Sequence, residues 1–539
     1  MVSRRRFLHQ GAGVGAGWTL GTLPALAAVS RPWHEASITE LQAAMAVGAT
    51  TSRELTQVHL TRIAQLNPLL NAVIESNPQA LQLAAQLDAE RAAGRVRGPL
   101  HGIPILLKDN VATADAMRTT AGSLALLQSR PLADAPVAAS LRAAGAVLLG
   151  KANLSEWANF RGFTPLDASG SFFLNGWSAR GGFTRNAYQL GWDSSGSSAG
   201  SAVGTAAGLC TAAVGTETDG SIVSPAGNNL IVGLKPSMGL LPQAGIVPIS
   251  HSQDTAGPMA RNVTDAALLL AAMGASADPL AYVRGLRRGA LAGARIGIDS
   301  NLFYTYTDPA QAAVAWLAVQ RTIALGAQVV YVDVGDPLAT FYDAEFTVLL
   351  HEFKIDVARY LAGATRTDMR SLADLIDFNS KHCQQEMRYY GQELFEIAQE
   401  TSGDPNDPGY LAARAQCLLQ ARDQGLKAAF QSFQLDALAI PTAGWSSSHA
   451  AVAGYPNLSL PVGFDAANRP VGLCLVGDWR AEARLLALGY DLEQELRVWR
   501  APSFLGSPYP WDGAALCNGG STRGALRSGL GGRKGPRRI

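Results

Sequence analysis

Across residues 176–257 the chain turns rich in glycine, serine and other small residues without becoming a repeat, yet it is too apolar to be a linker. Two serine-bearing turns lie in this span: Gly196-Ser197-Ser198-Ala199-Gly200-Ser201, and Gly215-Thr216-Glu217-Thr218-Asp219-Gly220-Ser221-Ile222. Between them the pattern predicts a small-residue helix over 202–207, ended by Gly208, and a strand over 210–214. The second turn, 216–221, is expected to enter another helix, which would put Ser221 at a helix N-terminus. Glycines in both turns let backbone approach closely and take unusual dihedrals, as a site built from backbone amides requires.

Similar alternation runs along the rest of the chain. Thr51 and Glu54 form a capping box that starts a helix carrying Leu55, Val58, Ile63 and Leu66 on one side. A helix is expected over 79–93, a buried strand over 102–107 with Lys108 at its end, and another strand over 143–149. Residues 153–159 read as a short helix, 314–422 as mostly helical, and 436–441 and 458–463 as strands. Helices alternating with buried strands imply an α/β sheet.

Composition narrows the function classes. With 47% hydrophobic and 16% charged residues in 539, the chain can bury a large core. A net charge of +1, with both signs mixed along the body, gives no footprint for nucleic acid or an anionic membrane. Arg523, Arg527, Arg533, Lys534, Arg537 and Arg538 lie among glycines at the end, so 506–539 reads as a basic, disordered tail. The cysteines, Cys210, Cys383, Cys417, Cys474 and Cys517, are odd in number and lack C-x-x-C spacing. Neither a disulfide framework nor a zinc site is expected from them, and most should be buried thiols. No H-E-x-x-H pair offers metal ligands, and His351 beside Glu352 reads as ordinary helix.

The N-terminus carries an address. Ser3-Arg4-Arg5-Arg6-Phe7-Leu8 precedes an uncharged, glycine-rich apolar stretch that closes on Ala25-Leu26-Ala27. This resembles a twin-arginine export signal over 1–27, read by the export machinery and followed by a periplasmic or secreted chain. Its glycines and Pro24 make a poor spanning helix, so no stable membrane insertion is expected after processing.

The dispersed motifs resemble the amidase-signature family from about residue 38 to 500. Leu100-His101-Gly102-Ile103-Pro104-Ile105-Leu106-Leu107-Lys108-Asp109 matches its L-x-G-I-P-x-x-x-K-D, and the two serine turns match its G-S-S-x-G-S and G-T-x-x-x-G-S-I. Gly233-Leu234-Lys235-Pro236, Asp254-Thr255-Ala256-Gly257-Pro258 and Gly454-Tyr455-Pro456 fit as well. The resemblance implies a large mixed, twisted β-sheet covered by helices on both faces, forming one domain over 28–505. It also implies that Ser221 is the nucleophile, Ser197 a bridging serine on a cis peptide, and Lys108 the base. Backbone amides of Thr218, Asp219, Gly220 and Ser221 would hold the oxyanion, and neither cofactor nor metal is required.

That chemistry is sound by itself. A serine hydroxyl needs a positioned base, no histidine stands in a motif beside either serine, and a lysine serves if burial keeps its amine neutral. Asp219 replaces a usual glycine and Val223 a usual arginine. With Asn153-Leu154-Ser155-Glu156-Trp157-Ala158-Asn159-Phe160-Arg161 and Gly176-Trp177-Ser178-Ala179-Arg180, these residues look like the bacterial peptide-amidase branch, which removes ammonia from peptide C-terminal amides. Rival readings are a broad aliphatic or aryl amidase, a glutamyl-tRNA amidotransferase A subunit, and a non-catalytic binding protein. Gly196 to Gly200 also fits G-x-S-x-G, which would make Ser198 the nucleophile with Asp436 and His449. The polar stretch before it is a poor elbow strand.

Overall fold

The buried apolar runs become the strands of one sheet. In the computed structural model, which describes residues 31–163, 175–363, 365–442, 445–508 and 517, eleven strands make this sheet. In chain order they are β1 (Val73–Ser76), β2 (Pro104–Lys108), β3 (Val147–Ala152), β4 (Ala212–Glu217), β5 (Val232–Lys235), β6 (Thr255–Ala260), β7 (Arg295–Ile298), β8 (Gln328–Tyr331), β9 (Ala437–Pro441), β10 (Asn457–Phe464) and β11 (Pro470–Val476). Their spatial order is β1-β3-β2-β4-β6-β5-β10-β11-β9-β7-β8.

The sheet is mixed. β2 runs parallel to both β3 and β4, and β7 parallel to β8 and β9. The strands from β4 through β6, β5, β10 and β11 to β9 pair antiparallel. In β2, Ile105 and Leu107 join one hydrophobic core while Leu106 joins another, as alternation across a pleated strand demands. Helices Ser52–Leu70, Ala80–Ala92 and Ala199–Ala206 feed the Leu106 side through Ile63, Leu87 and Val203. Helices Ile38–Ala46, Pro136–Ala143, Val263–Leu270 and Glu482–Leu496 cover the opposite side through Leu41, Leu141, Leu269 and Leu485. Both faces are therefore covered.

Several expected boundaries move. The capping box of Thr51 and Glu54 forms as read. The strand expected over 143–149 begins only at Val147, because the preceding helix persists to Ala143 and Gly145 then turns with φ +83°. The region read as mostly helical contains the edge strand β8, four residues with partly exposed side chains and little apolar signal. The short helix expected over 153–159 is instead a tight turn in which Trp157, Ala158 and Asn159 have φ of +51°, +54° and +72°.

The cysteine expectation also needs correction. Cys210, Cys417 and Cys474 are buried thiols, but Cys383 and Cys517 form a disulfide across 134 residues. Nothing local in the sequence marks a pair that distant. The export segment and nearly all of the basic tail lie outside the described residues. Among the described residues, no helix is long and apolar enough to cross a membrane.

Candidate active site

Lys108 closes β2 in the parallel part of the sheet, and its side chain is wholly buried. Its Nζ donates to Ser197 Oγ at 2.7 Å and to the Thr216 carbonyl at 3.0 Å. Ser197 stands just before helix Ala199–Ala206, after a cis Gly196–Ser197 peptide, and is also wholly buried. Ser221 lies beyond the end of β4 and lines a cavity, with its loop neighbours Thr218, Asp219 and Gly220. The two turns are tied together: Ser198 N–H donates to the Ser221 carbonyl at 3.1 Å, and Ser198 Oγ donates to the Thr216 carbonyl at 3.0 Å.

Ser198 is thus a brace. Asp436 accepts from Arg484 and from the Arg295 amide, and His449 Nε2 bonds the Val334 carbonyl, so no hydrogen bond joins Ser198, Asp436 and His449. Ser194 Oγ donates to the Thr184 carbonyl, and Ser195 N–H to Asp193.

Burial draws the Lys108 ammonium down to about 7, against the opposing charges of Asp254 and Glu217. A substantial neutral fraction is then present near neutral pH. Asp254 Oδ1 accepts from Thr218 Oγ1 at 2.6 Å, and its Oδ2 accepts from the Ile249 and Ser250 amides at 2.8 and 3.0 Å. These bonds pin the loop that carries Thr218 to the neighbouring turn. Burial pushes the Asp254 carboxyl up to about 7.

Ser221 stands just before a helix N-terminus, as expected, but the amides of that helix end are already engaged. The helix is short, Val223–Asn228, and Glu217 Oε2 already accepts from the amides of Ile222 and Val223 at 2.7 and 3.0 Å. The Ser224 amide donates to the Gly220 carbonyl at 2.8 Å. Among the described residues, the amides of Thr218, Asp219, Gly220 and Ser221 donate to no protein acceptor. Gly220 turns the loop with φ +84°, where a side chain would strain the backbone. Glu217 thus satisfies the helix end and leaves the preceding amides free.

The cavity walls come from distant segments. Ala158, Asn159 and Phe160 line it from the left-handed turn, whose Ser155 amide donates to the Ser197 carbonyl at 3.0 Å. Behind that wall Arg161 is wholly buried, 3.0 Å from Glu156 Oε1 and 4.4 Å over the Tyr390 ring. Tyr342, Glu345 and Leu349 line the cavity from helix Tyr342–Gly363, with Trp445 nearby. Their spacing puts them on one helix face, but a tyrosine, an acid and a leucine do not announce a pocket in a sequence. The sequence also hid His251, which bonds Asp356 at 2.9 Å and lies 3.4 Å from Glu352. The Glu352 oxygens already accept from Ser250, Ser252 and Tyr410 hydroxyls, so this cluster braces the 249–254 turn.

Comparison with known proteins agrees with this fold and motif order. The sequence profile of the family named Amidase matches residues 54–451. A protein of Arabidopsis thaliana described as a probable amidase is 38% identical over 497 residues, covering 88% of this chain and 92% of its own. The crystal structure of peptide amidase from Stenotrophomonas maltophilia superposes with a TM-score of 0.81 at 46% identity, covering 88% of this chain and all of that one (100%). The glutamyl-tRNA(Gln) amidotransferase of a Synechococcus strain is more distant, its matching polypeptide 32% identical with 84% and 94% of the two chains covered. With buried lysine, paired serine turns and family profile in agreement, the chain belongs to the amidase-signature family and is a hydrolase acting on amide bonds.

Proposed function

We propose that this enzyme hydrolyses the C-terminal carboxamide of short peptides, releasing ammonia, with Ser221 as nucleophile, Ser197 as proton bridge and Lys108 as base. The observation that carries this reading is the fully buried Lys108 amine held 2.7 Å from Ser197 Oγ, beside the turn of the cavity-lining Ser221. Neutral Lys108 accepts the Ser197 proton as Ser197 accepts that of Ser221, whose oxygen attacks the carboxamide carbon. The oxyanion is held by the unengaged amides of the 218–221 loop, each such donor worth about 3 kcal/mol of barrier. Collapse breaks the C–N bond while Ser197 returns a proton to the nitrogen, which leaves as ammonia. Water then attacks the ester of Ser221 and the proton chain runs in reverse, giving the carboxylate. The peptide substrate is supported by the likeness to peptide amidase at 46% identity.

Export through the twin-arginine route, with cleavage before Ala28, belongs to the same proposal; the Cys383–Cys517 disulfide supports an oxidising compartment. The direct test is ammonia release from an N-blocked dipeptide amide by the mature chain beside Ser221→Ala. Release by the parent alone supports the reading. Cleavage of anilides or simple aliphatic amides, with peptide amides untouched, would keep the serine chemistry and replace the substrate.

A further inference from the structure

Acids, and no cations, stand among the described residues that line the cavity in front of Ser221. Among the described residues lining it are Asp193, Asp219 and Glu345, and none is lysine, arginine or histidine. Asp193 is engaged locally, accepting from the Ser195 amide and from Asn175 Nδ2 at 2.9 Å each. The other two differ. Asp219 Oδ2 accepts from Ser448 Oγ at 2.8 Å, while its Oδ1 is cut off from solvent with no hydrogen-bond partner.

Glu345 is the sharper observation. Its side chain is 3% exposed, yet it lines the cavity. Its Oε1 accepts from Gln253 Nε2 at 2.7 Å, and its Oε2 accepts from no donor among the described residues. The opposing charge it feels is Arg414, which lines a separate groove. Burial first, then the neighbouring Asp219, hold the Glu345 carboxyl well above the usual carboxylate range. Burial also raises Asp219, against the hydroxyls of Ser447 and Ser448 and the charge of Lys235, which does not line the cavity. A buried carboxyl group and a partly buried one, each with an acceptor oxygen left open, are costly in a cavity lined by no cation, and a cation arriving there would relieve both.

We propose that Glu345 and Asp219 form a subsite for a positively charged group of the substrate, so that the enzyme favours peptide amides carrying an ammonium or guanidinium and disfavours acidic ones. This rests on the peptide-amide reading above.

The test compares kcat/KM for N-blocked dipeptide amides that differ at one residue, norleucine, lysine or glutamate, beside the norleucine compound with a free amino terminus. A side-chain cation and a terminal one are thereby distinguished. For the parent, a cationic substrate should exceed the blocked norleucine amide about tenfold, and the glutamate amide should fall below it. Glu345→Gln should erase the cationic advantage, and Glu345→Asp, which keeps the charge, should retain most of it. Turnover of the norleucine amide with no cationic advantage would overturn the subsite and leave the peptide-amide reading standing. Absence of turnover for every compound would overturn both.

Discussion

Lys108 donates to two neutral oxygens, Ser197 Oγ and the Thr216 carbonyl, so neither hydrogen-bond partner is a carboxylate that would lock it as an ammonium. Burial therefore governs its protonation, and only the neutral form can act as a base. Activity should accordingly rise with pH through about 7 and level off above it, which a kcat/KM profile on a neutral substrate reads directly. A profile that falls through this range would reverse the assigned sign. Lys108→Met keeps an unbranched chain and removes the titrating amine; kcat/KM should drop about 10³-fold with the fold retained by circular dichroism. At this scale much was legible in the sequence. Lys108, Ser197 and Ser221 stand in motifs that the family resemblance singles out, whereas Glu217's bonds to Ile222 and Val223 depend on the exact end of β4.

Helix Ala199–Ala206 is the element that brings Ser197 to Lys108, and it packs without large side chains. Gly200 shows why: a Cβ there would stand 2.3 Å from the Ala72 carbonyl oxygen and 2.5 Å from the Asn153 amide nitrogen. These are backbone atoms that cannot rotate away. Gly200→Ala should destabilise the protein by about 3 kcal/mol in denaturant unfolding and lower kcat, since the displaced helix carries Ser197 with it. An unchanged unfolding midpoint would mean that the helix can slide. The glycine itself was visible in the sequence, but its neighbours come from β1's approach and the 153–161 turn. That turn was misread as a helix because its left-handed dihedrals at Trp157, Ala158 and Asn159 contradict local preference and are sustained by tertiary packing. Edge strand β8 was likewise hidden, since four half-exposed residues carry little periodicity.

Across the whole molecule, alternating strands and helices foretold an α/β sheet, the family resemblance implied a mixed one covered on both faces, and eleven strands realise it. Connections spanning long sequence distances were not foretold. The cavity joins the 158–160 turn, the 218–221 loop and helix Tyr342–Gly363, and the disulfide joins Cys383 to Cys517. Such pairings leave no periodic trace. A peptide map under non-reducing conditions should recover the Cys383 and Cys517 peptides as one linked species that separates on reduction. Cys383→Ser should cost about 2–4 kcal/mol of stability, the usual range for closing a long loop of the unfolded chain.

The identity of the nucleophile is tested most directly by covalent labelling. A fluorophosphonate that phosphonylates activated serines should modify the parent once, at Ser221 in the mapped peptide, with a rate rising through about pH 7 as Lys108 deprotonates. Ser221→Ala should remain unlabelled, and Lys108→Met should label far more slowly. Labelling at Ser197 or Ser198, or unchanged labelling of Ser221→Ala, would contradict the assignment.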